Sequence, residues 1–225
     1  MNRRIVFLWS LLSFAVVSGS RAQNGFRREW AVGASGGVNF SSVGFSPKVQ
    51  EDMLMGYQSG LTLRWITEKN LGLQVELNFK QQGWKENFDE LNVPEGTNYR
   101  FQRRMNYVEL PFMTHIYFGG NRTRFFVNLG PQIGFLLNEH TEENLNGAAP
   151  QNINEQHTML ADKRIEWGIG GGAGLEFRTL IGYFLLEGRY YYALSDFYNT
   201  RHQDVFTKAS SQVISVRLTC LIPLQ

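Results

Sequence analysis

The residues of this 225-residue chain that are best suited to chemistry lie near its carboxyl end. Ser195 and Asp196 are followed by His202 and then by Ser210 and Ser211. A serine, a histidine and an acid are the parts of a hydrolase or acyltransferase site. The same residue types also form ordinary loops. We therefore expect no catalytic residue in this segment, and a loop-borne hydrolase is the alternative, which predicts loss of turnover when His202 is replaced.

A second group of side chains has the atoms that bind metals. It comprises His140, His157, Glu139, Glu142, Glu143 and Glu155. Their spacing matches no tight ligand motif, so we expect solvated side chains and neither a metal nor a cofactor. The remaining histidine, His115, falls in an alternating segment and is predicted to face inward. The lone Cys220 excludes an internal disulfide and a cysteine-based zinc knuckle.

Composition and charge exclude further classes of protein. The chain has 22 basic and 20 acidic residues, which is too balanced for a nucleic-acid-binding protein. No apolar run reaches the roughly 18 residues that a membrane-spanning helix needs. A helical membrane protein is therefore excluded, whereas a membrane protein built from strands is not.

The first segment has the pattern of a secretory signal peptide. Arg3 and Arg4 precede an apolar stretch over residues 5–17, and Ser20-Arg21-Ala22 places small residues at −3 and −1 of a cut after Ala22. We predict a signal peptide over residues 1–22 and one domain over residues 23–225. The mature chain would carry 19 basic and 20 acidic residues.

The elements that hold all these residues are predicted strands. Apolar and polar side chains alternate with the period of two that a strand between two different environments requires. The run Leu71, Leu73, Val75, Leu77, Phe79 is the clearest, interleaved with residues that include Glu76 and Lys80. Eight such strands are predicted, over residues 30–40, 57–65, 71–80, 108–118, 125–137, 165–177, 184–194 and 213–222.

Short and long connections alternate along these strands. The predicted short turns are residues 67–70, 119–123 and 178–182, and the predicted long loops are about 41–56, 82–106, 138–163 and 195–211. In an up-and-down barrel this alternation puts all turns on one rim and all long loops on the other, as in outer-membrane barrels. The prediction is an all-β, eight-stranded antiparallel up-and-down transmembrane β-barrel.

Aromatic residues test this prediction independently, because their rings collect where a bilayer meets water. Near the short turns the apolar face carries Trp30, Trp65, Phe118, Phe125, Phe177 and Phe184. Near the long loops it carries Phe40, Tyr57, Phe79, Phe135, Trp167 and Tyr192. Two belts around an aliphatic band favour outer-membrane lipid as the partner of this face. The alternative is a soluble exported barrel that binds a small ligand.

The predicted inward face is charged. It comprises Arg64, Glu76, Lys80, Glu109, Glu166, Glu176, Glu187, Arg189 and Arg217. Eight strands enclose a lumen that side chains just fill, so we expect an internal salt-bridge network. A narrow, porin-like channel is the alternative. The inward row Gly168, Gly170, Gly172, Gly174 either leaves room for long side chains opposite or serves barrel closure.

Pro111 and Pro131 fall inside predicted strands, where we expect bulges to accommodate the missing N–H groups. The segments around them, 107–111 (YVELP) and 129–137 (LGPQIGFLL), resemble paired strands of the PorT-like outer-membrane β-barrel family of Bacteroidetes. Residues 166–171 and 186–194 are similar to its sixth and seventh strands. The carboxyl end, 221–225 (LIPLQ), departs from outer-membrane barrels in lacking a terminal aromatic residue.

This resemblance implies an outer-membrane barrel of a Gram-negative bacterium with a structural or interaction role. The namesake of the family takes part in type IX secretion, so other envelope or secretion-apparatus proteins are the implied partners, reached through the long external loops. No catalytic, cofactor-binding or metal-binding residue is assigned, and no nucleic acid is expected as a partner.

Overall fold

The structure, a computed structural model, describes residues 28–46, 51–86, 100–144, 161, 163–196 and 208–224. Its eight strands are β1 (Glu29–Ser46), β2 (Glu51–Glu68), β3 (Leu71–Glu86), β4 (Arg100–Gly119), β5 (Thr123–Asn144), β6 (Ile165–Arg178), β7 (Tyr183–Ala193) and β8 (Lys208–Leu224). No helix among the described residues is long and apolar enough to cross a membrane.

The strands form one closed antiparallel barrel in sequence order. Each strand pairs with its neighbours along the chain, and β1 closes the ring by pairing with β8 from Trp30↔Leu224 to Ser46↔Lys208. The predicted eight-stranded up-and-down barrel is confirmed. Because the ring is closed, the backbone N–H and C=O groups of every strand can pair with a neighbouring strand. Strands can lie in lipid only when these groups are paired in this way.

The orientation of the alternating faces is also as predicted. Leu73, Val75 and Leu77 are 48%, 36% and 47% exposed on the outer wall, whereas Glu76 and Lys80 are buried inside the cylinder. All twelve rings of the two predicted belts lie on the outward face, exposed or half-buried. Trp30 and Trp65 stack there, with ring centroids 5.0 Å apart and planes 6° from parallel.

The three short turns lie on one end of the barrel, here called the turn rim. They connect β2 to β3, β4 to β5, and β6 to β7, and the opposite end is the loop rim. Asn70 adopts a positive φ of 72° in the first turn, a conformation that Asn tolerates better than most residues. The predicted short turns are confirmed.

The long loops are shorter in the structure than predicted from the sequence, because the strands continue beyond the alternating segments. β1 ends at Ser46 and β2 begins at Glu51, so most of the predicted loop 41–56 is strand and the strict alternation of short and long connections is wrong there. β4 and β5 reach to Arg100 and Asn144. A strand needs about 9–11 residues to cross a bilayer, so these two strands, 20 and 22 residues long, extend well past it.

The prolines are accommodated without bulges, which corrects the sequence-based expectation. Pro111 pairs with Gln132 and Pro131 with Ile169, and the register continues unshifted on both sides. Cross-strand pairs are missing beside Pro111 between Val75↔Phe112 and Asn78↔Glu109. The missing N–H thus interrupts the ladder locally without changing which side chains face the lumen.

Candidate functional site

The predicted serine, histidine and acid set is not assembled among the described residues. Ser210 and Ser211 are buried in β8, not in a loop as predicted. Ser195 bonds the backbone of Trp167, and the Asp196 carboxylate accepts a hydrogen bond of 2.8 Å from the Ala209 N–H. His202 lies outside the described residues.

The potential metal ligands are also separated. His140 lies in β5, as do Glu139, Glu142 and Glu143, so their assignment to a loop was wrong. Glu155 and His157 lie outside the described residues. Within the described ranges, no three His, Cys, Asp or Glu side chains are grouped to hold a metal ion.

The lumen is therefore the principal candidate site, and an apolar layer closes it at the turn rim. This floor consists of Ala31, Ile66, Tyr117, Phe126, Leu185 and Leu221, all buried, with Tyr183 packed against them. These side chains come from six different strands and meet at the axis of the barrel. The floor excludes water from the end of the lumen that faces the turns.

A charged layer lies above the floor, and its centre is Glu76. Arg189 donates two hydrogen bonds to the Glu76 carboxylate, of 2.8 and 3.0 Å, and Arg217 donates a third of 2.5 Å. Gln74 and Asn78 donate two more. A buried carboxylate surrounded by charge-assisted and neutral donors in this way has its charge and lone pairs satisfied.

The same layer continues across the lumen. Arg189 also bonds Glu187, which accepts from the Asn128 amide at 2.9 Å. The Asn128 oxygen lies 2.8 Å from His115 Nδ1, and Arg64 lies 3.4 Å from His115 Nε2. Because Arg64 only donates, Nε2 is the acceptor and the His115 proton is on Nδ1, which makes the ring neutral.

Arg64 connects this layer to the turn rim. It donates a hydrogen bond of 2.5 Å to Glu176, and both side chains are buried. Arg178 lies 3.3 Å from the other Glu176 oxygen and also pairs with Glu29. Two groups of ion pairs, joined by the hydrogen bonds of Asn128 and His115, thus extend from the middle of the lumen to the turns.

The upper lumen holds a second polar group. Lys80 pairs with Glu109, and its ammonium lies 4.6 Å from the centroid of the Tyr191 ring. Glu166 accepts hydrogen bonds from Ser211 at 2.7 Å and Gln82 at 3.1 Å. Among the described contacts its hydrogen-bonded partners are neutral, whereas Glu76, Glu109, Glu176 and Glu187 each pair with a basic side chain.

Large side chains fill the lumen at the level above. Trp84, Phe101, Met105 and Tyr107 are all at most 1% exposed, and the Arg103 guanidinium lies 5.4 Å from the Trp84 ring centroid. These inward aromatic residues were not predicted from the sequence. They alternate with outward polar residues that include Lys85, Gln102 and Arg104, so the apolar side chains face inward here, which is the reverse of the pattern within the bilayer.

All nine predicted inward charges are in place. Each is at most 7% exposed, and the expected internal network is confirmed for the described residues. The glycine row serves both interpretations. A Cβ at Gly170 would lie 1.7 Å from the Gln132 amide, whereas one at Gly174 would lie 2.1 Å from the Leu186 carbonyl oxygen of the neighbouring strand and 2.7 Å from the Phe126 ring.

A polar wall rises from the loop rim between β4 and β5. Above Leu137, the last exposed apolar residue of β5, the outward pairs are Asn106↔Asn138, Arg104↔His140, Gln102↔Glu142 and Arg100↔Asn144. Asn106 and Gln102 donate to the side chains opposite. Polar residues on the outward face mark where the strands leave the bilayer.

The fold resembles solved outer-membrane barrels. OprG from Pseudomonas aeruginosa matches with a TM-score of 0.51 and 13% identity, over 86% of this chain and 93% of OprG. Ail from Yersinia pestis matches with a TM-score of 0.42 and 12% identity, over 86% and 99%. Neisserial surface protein A has a TM-score of 0.41 and 10% identity, over 87% and 99%. No curated protein matches the chain.

A family model described as "Outer membrane protein beta-barrel domain" matches residues 21–199. That range includes β1 to β7 and thus most of the closed ring, the two aromatic belts and the charged lumen. The chain belongs to this family of outer-membrane β-barrel domains, and its place is the outer membrane.

Proposed function

We propose that this protein is a non-conducting outer-membrane barrel that acts by binding other envelope components at its loop rim, and that it is neither a channel nor an enzyme. The observation that carries the proposal is the filled lumen. Arg189 and Arg217, on β7 and β8, meet Glu76, on β3, across the barrel axis. An ion crossing the lumen would have to break these buried pairs and displace the apolar floor.

The loop rim supplies the surface for interaction. The polar pairs from Asn106↔Asn138 to Arg100↔Asn144 lie on the paired ends of β4 and β5 above the bilayer. Binding residues are often carried by loops and ends that a stiff scaffold positions. An anchored barrel with a filled lumen and a raised polar wall therefore supports a role in recognition.

The proposal includes the finer assignment and the route of export. We place the chain among PorT-like barrels on the resemblance of residues 107–111 and 129–137, with residues 1–22 removed as a signal peptide after Ala22. Deleting the gene in its host and measuring secretion of type IX cargo tests this assignment. Unchanged secretion would remove the PorT-like role and leave the barrel assignment intact.

Planar-bilayer recordings on the purified protein test the filled lumen. We expect no stepwise conductance from the native chain. A variant that replaces Glu76, Arg189 and Arg217 of the central layer, and Tyr117 and Phe126 of the apolar floor, by Ala removes both barriers. It is expected to leak, which shows that the assay detects opening. Stepwise currents from the native chain that disappear in Arg189→Gln would contradict the proposal and establish a narrow pore.

Site-specific photo-crosslinking in cells tests binding at the loop rim. A crosslinker at Arg104 or His140 is expected to capture a defined envelope partner. The matched control is Leu73, on the outer wall within the bilayer, where only lipid contacts are expected. Equal capture patterns at His140 and Leu73 would contradict a recognition role for the wall.

A further inference from the structure

The turn between β6 and β7 differs from the other two turns at the same rim. The tips of those turns are polar, with Lys69-Asn70 in one and Gly120-Asn121-Arg122 in the other. The β6–β7 turn instead presents Leu180 and Ile181, which are 106% and 79% exposed. Gly, Asn, Asp and Ser are the usual residues of such tips, so two adjacent aliphatic side chains need an explanation.

The backbone holds this apolar tip rigidly. The Thr179 N–H and hydroxyl both donate to the Gly182 carbonyl, at 2.9 and 2.8 Å, and close the turn. Gly182 has a φ of 154°, and a Cβ there would lie 2.7 Å from the Leu221 carbonyl oxygen. Leu180 and Ile181 are therefore the two positions that project from a fixed turn.

The neighbouring turn places a cation beside the tip. The Arg178 N–H donates a hydrogen bond of 2.8 Å to the Arg122 carbonyl, which joins the β4–β5 and β6–β7 turns. Arg122, Leu180 and Ile181 line one open hollow between these turns, together with Tyr183. Arg122 is exposed, whereas Arg178 is occupied by Glu29 and by the Tyr183 ring.

The charge of the whole rim is positive. Its described charged residues are Arg28, Glu29, Glu68, Lys69, Arg122, Arg124, Glu176 and Arg178, five basic and three acidic. Two of the three acids are already paired, Glu29 with Arg178 and Glu176 with Arg64 and Arg178. An occupant of the hollow therefore needs apolar surface for the tip and negative charge around it.

We propose that Leu180 and Ile181, with Arg122 beside them, form a docking point for a periplasmic protein that offers an apolar pocket bordered by carboxylates. Short turns of outer-membrane barrels face the periplasm, and the tip lies beyond the Phe177↔Phe184 pair of the aromatic belt. This surface is separate from the loop rim, so the proposal stands whether or not the loop rim binds a partner.

The first experiment distinguishes protein docking from insertion into lipid. A nitroxide label is attached to Leu180→Cys in a Cys220→Ser background, with the protein reconstituted in phospholipid vesicles. We expect the label to be accessible to a water-soluble relaxation agent, as a label at Lys69→Cys should be. A label accessible to oxygen in the bilayer and not to the aqueous agent would overturn the proposal.

The second experiment captures the partner in cells. A photo-crosslinker at Leu180 is expected to give a protein adduct that a crosslinker at Lys69 does not give. Arg122→Glu is expected to reduce this adduct about fivefold or more, whereas Lys69→Glu leaves it unchanged. No adduct, an adduct with lipid alone, the same adduct from Lys69, or no effect of Arg122→Glu would each overturn the proposal.

Purified components complete the test. The captured protein is expected to bind the native barrel at least about tenfold more tightly than the variant Leu180→Ser, Ile181→Ser. Heat-shifted gel mobility verifies that the variant barrel is folded. Equal affinity for both folded barrels would overturn the proposal.

Discussion

Arg189 and Glu76 form a bidentate ion pair across the interior of the barrel, with N–O distances of 2.8 and 3.0 Å between strands β7 and β3. Strands that are far apart in the ring are thereby joined through the lumen. The pair therefore restricts the distance between these strands, in addition to the backbone hydrogen bonds around the wall.

Replacing Glu76 by Gln leaves Arg189 and Arg217 buried with one less countercharge. We expect the free energy of unfolding to fall by about 3–5 kcal/mol, the usual cost of removing one partner of a buried pair. Denaturant titration in phospholipid vesicles measures this change. The outward neighbour Leu77→Val is the control, and a variant Glu76→Gln as stable as that control would show that the network contributes little.

Replacing Val75 by Arg puts a cation on the outer wall midway between the aromatic belts. We expect the free energy of unfolding to fall by about 2–4 kcal/mol, because the charge lies at the hydrocarbon midplane. Asn106→Arg, above the bilayer on β4, is the matched control and should cost about 0–1 kcal/mol. Equal costs at the two positions in the same vesicle titration would contradict the assigned membrane depth.

Replacing Gly170 by Ala forces a Cβ against the Gln132 side chain, which lies 1.7 Å from the position it would take. We expect a loss of about 1–3 kcal/mol from overpacking. Gly188→Ala, on the neighbouring strand, is the control because a Cβ there meets no atom within 4 Å. A folded Gly170→Ala variant with native unfolding free energy would show that Gln132 moves aside freely.

The stack of Trp30 and Trp65 on the outer wall should give an exciton couplet in circular dichroism, since the rings are 5.0 Å apart and nearly parallel. Trp65→Phe is expected to abolish the couplet. It should also lower the free energy of unfolding by about 0.5–1.5 kcal/mol more than the loss of buried apolar area explains. Trp167→Phe, in the belt near the loop rim, should leave the couplet intact. A couplet that survives Trp65→Phe would exclude the stack as its source.

The sequence by itself determined the faces of the barrel. Leu73, Val75 and Leu77 alternate with Gln74 and Glu76, and a period of two places these sets on opposite sides of any strand. Because lipid and a polar lumen differ so strongly, the alternation also indicated which side met lipid. This contrast was enough to predict the eight strands, the turn rim, the two aromatic belts and the nine inward charges.

The ends of the strands were decided by the tertiary structure. Above the bilayer, residues 138–144 are polar on both faces, and in residues 100–106 the apolar Phe101 and Met105 face inward. Neither segment continues the hydrophobic contrast of the bilayer-spanning strands, in which the apolar side chains face outward. Their strand conformation comes from cross-strand pairing of β4 with β5. The sequence assigned them to loops for that reason, and the same absence of contrast concealed the β1–β2 hairpin.

The partners inside the lumen were likewise decided by closure of the ring. Glu76 and Arg189 are 113 residues apart, and only the register of all eight strands brings them to one level. A periodic pattern indicates that a residue points inward. It does not indicate the level of that residue along the barrel axis or the strand that lies opposite. Closure of the ring therefore decided the internal network, the apolar floor and the hydrogen bond that joins Arg122 to the Leu180 turn.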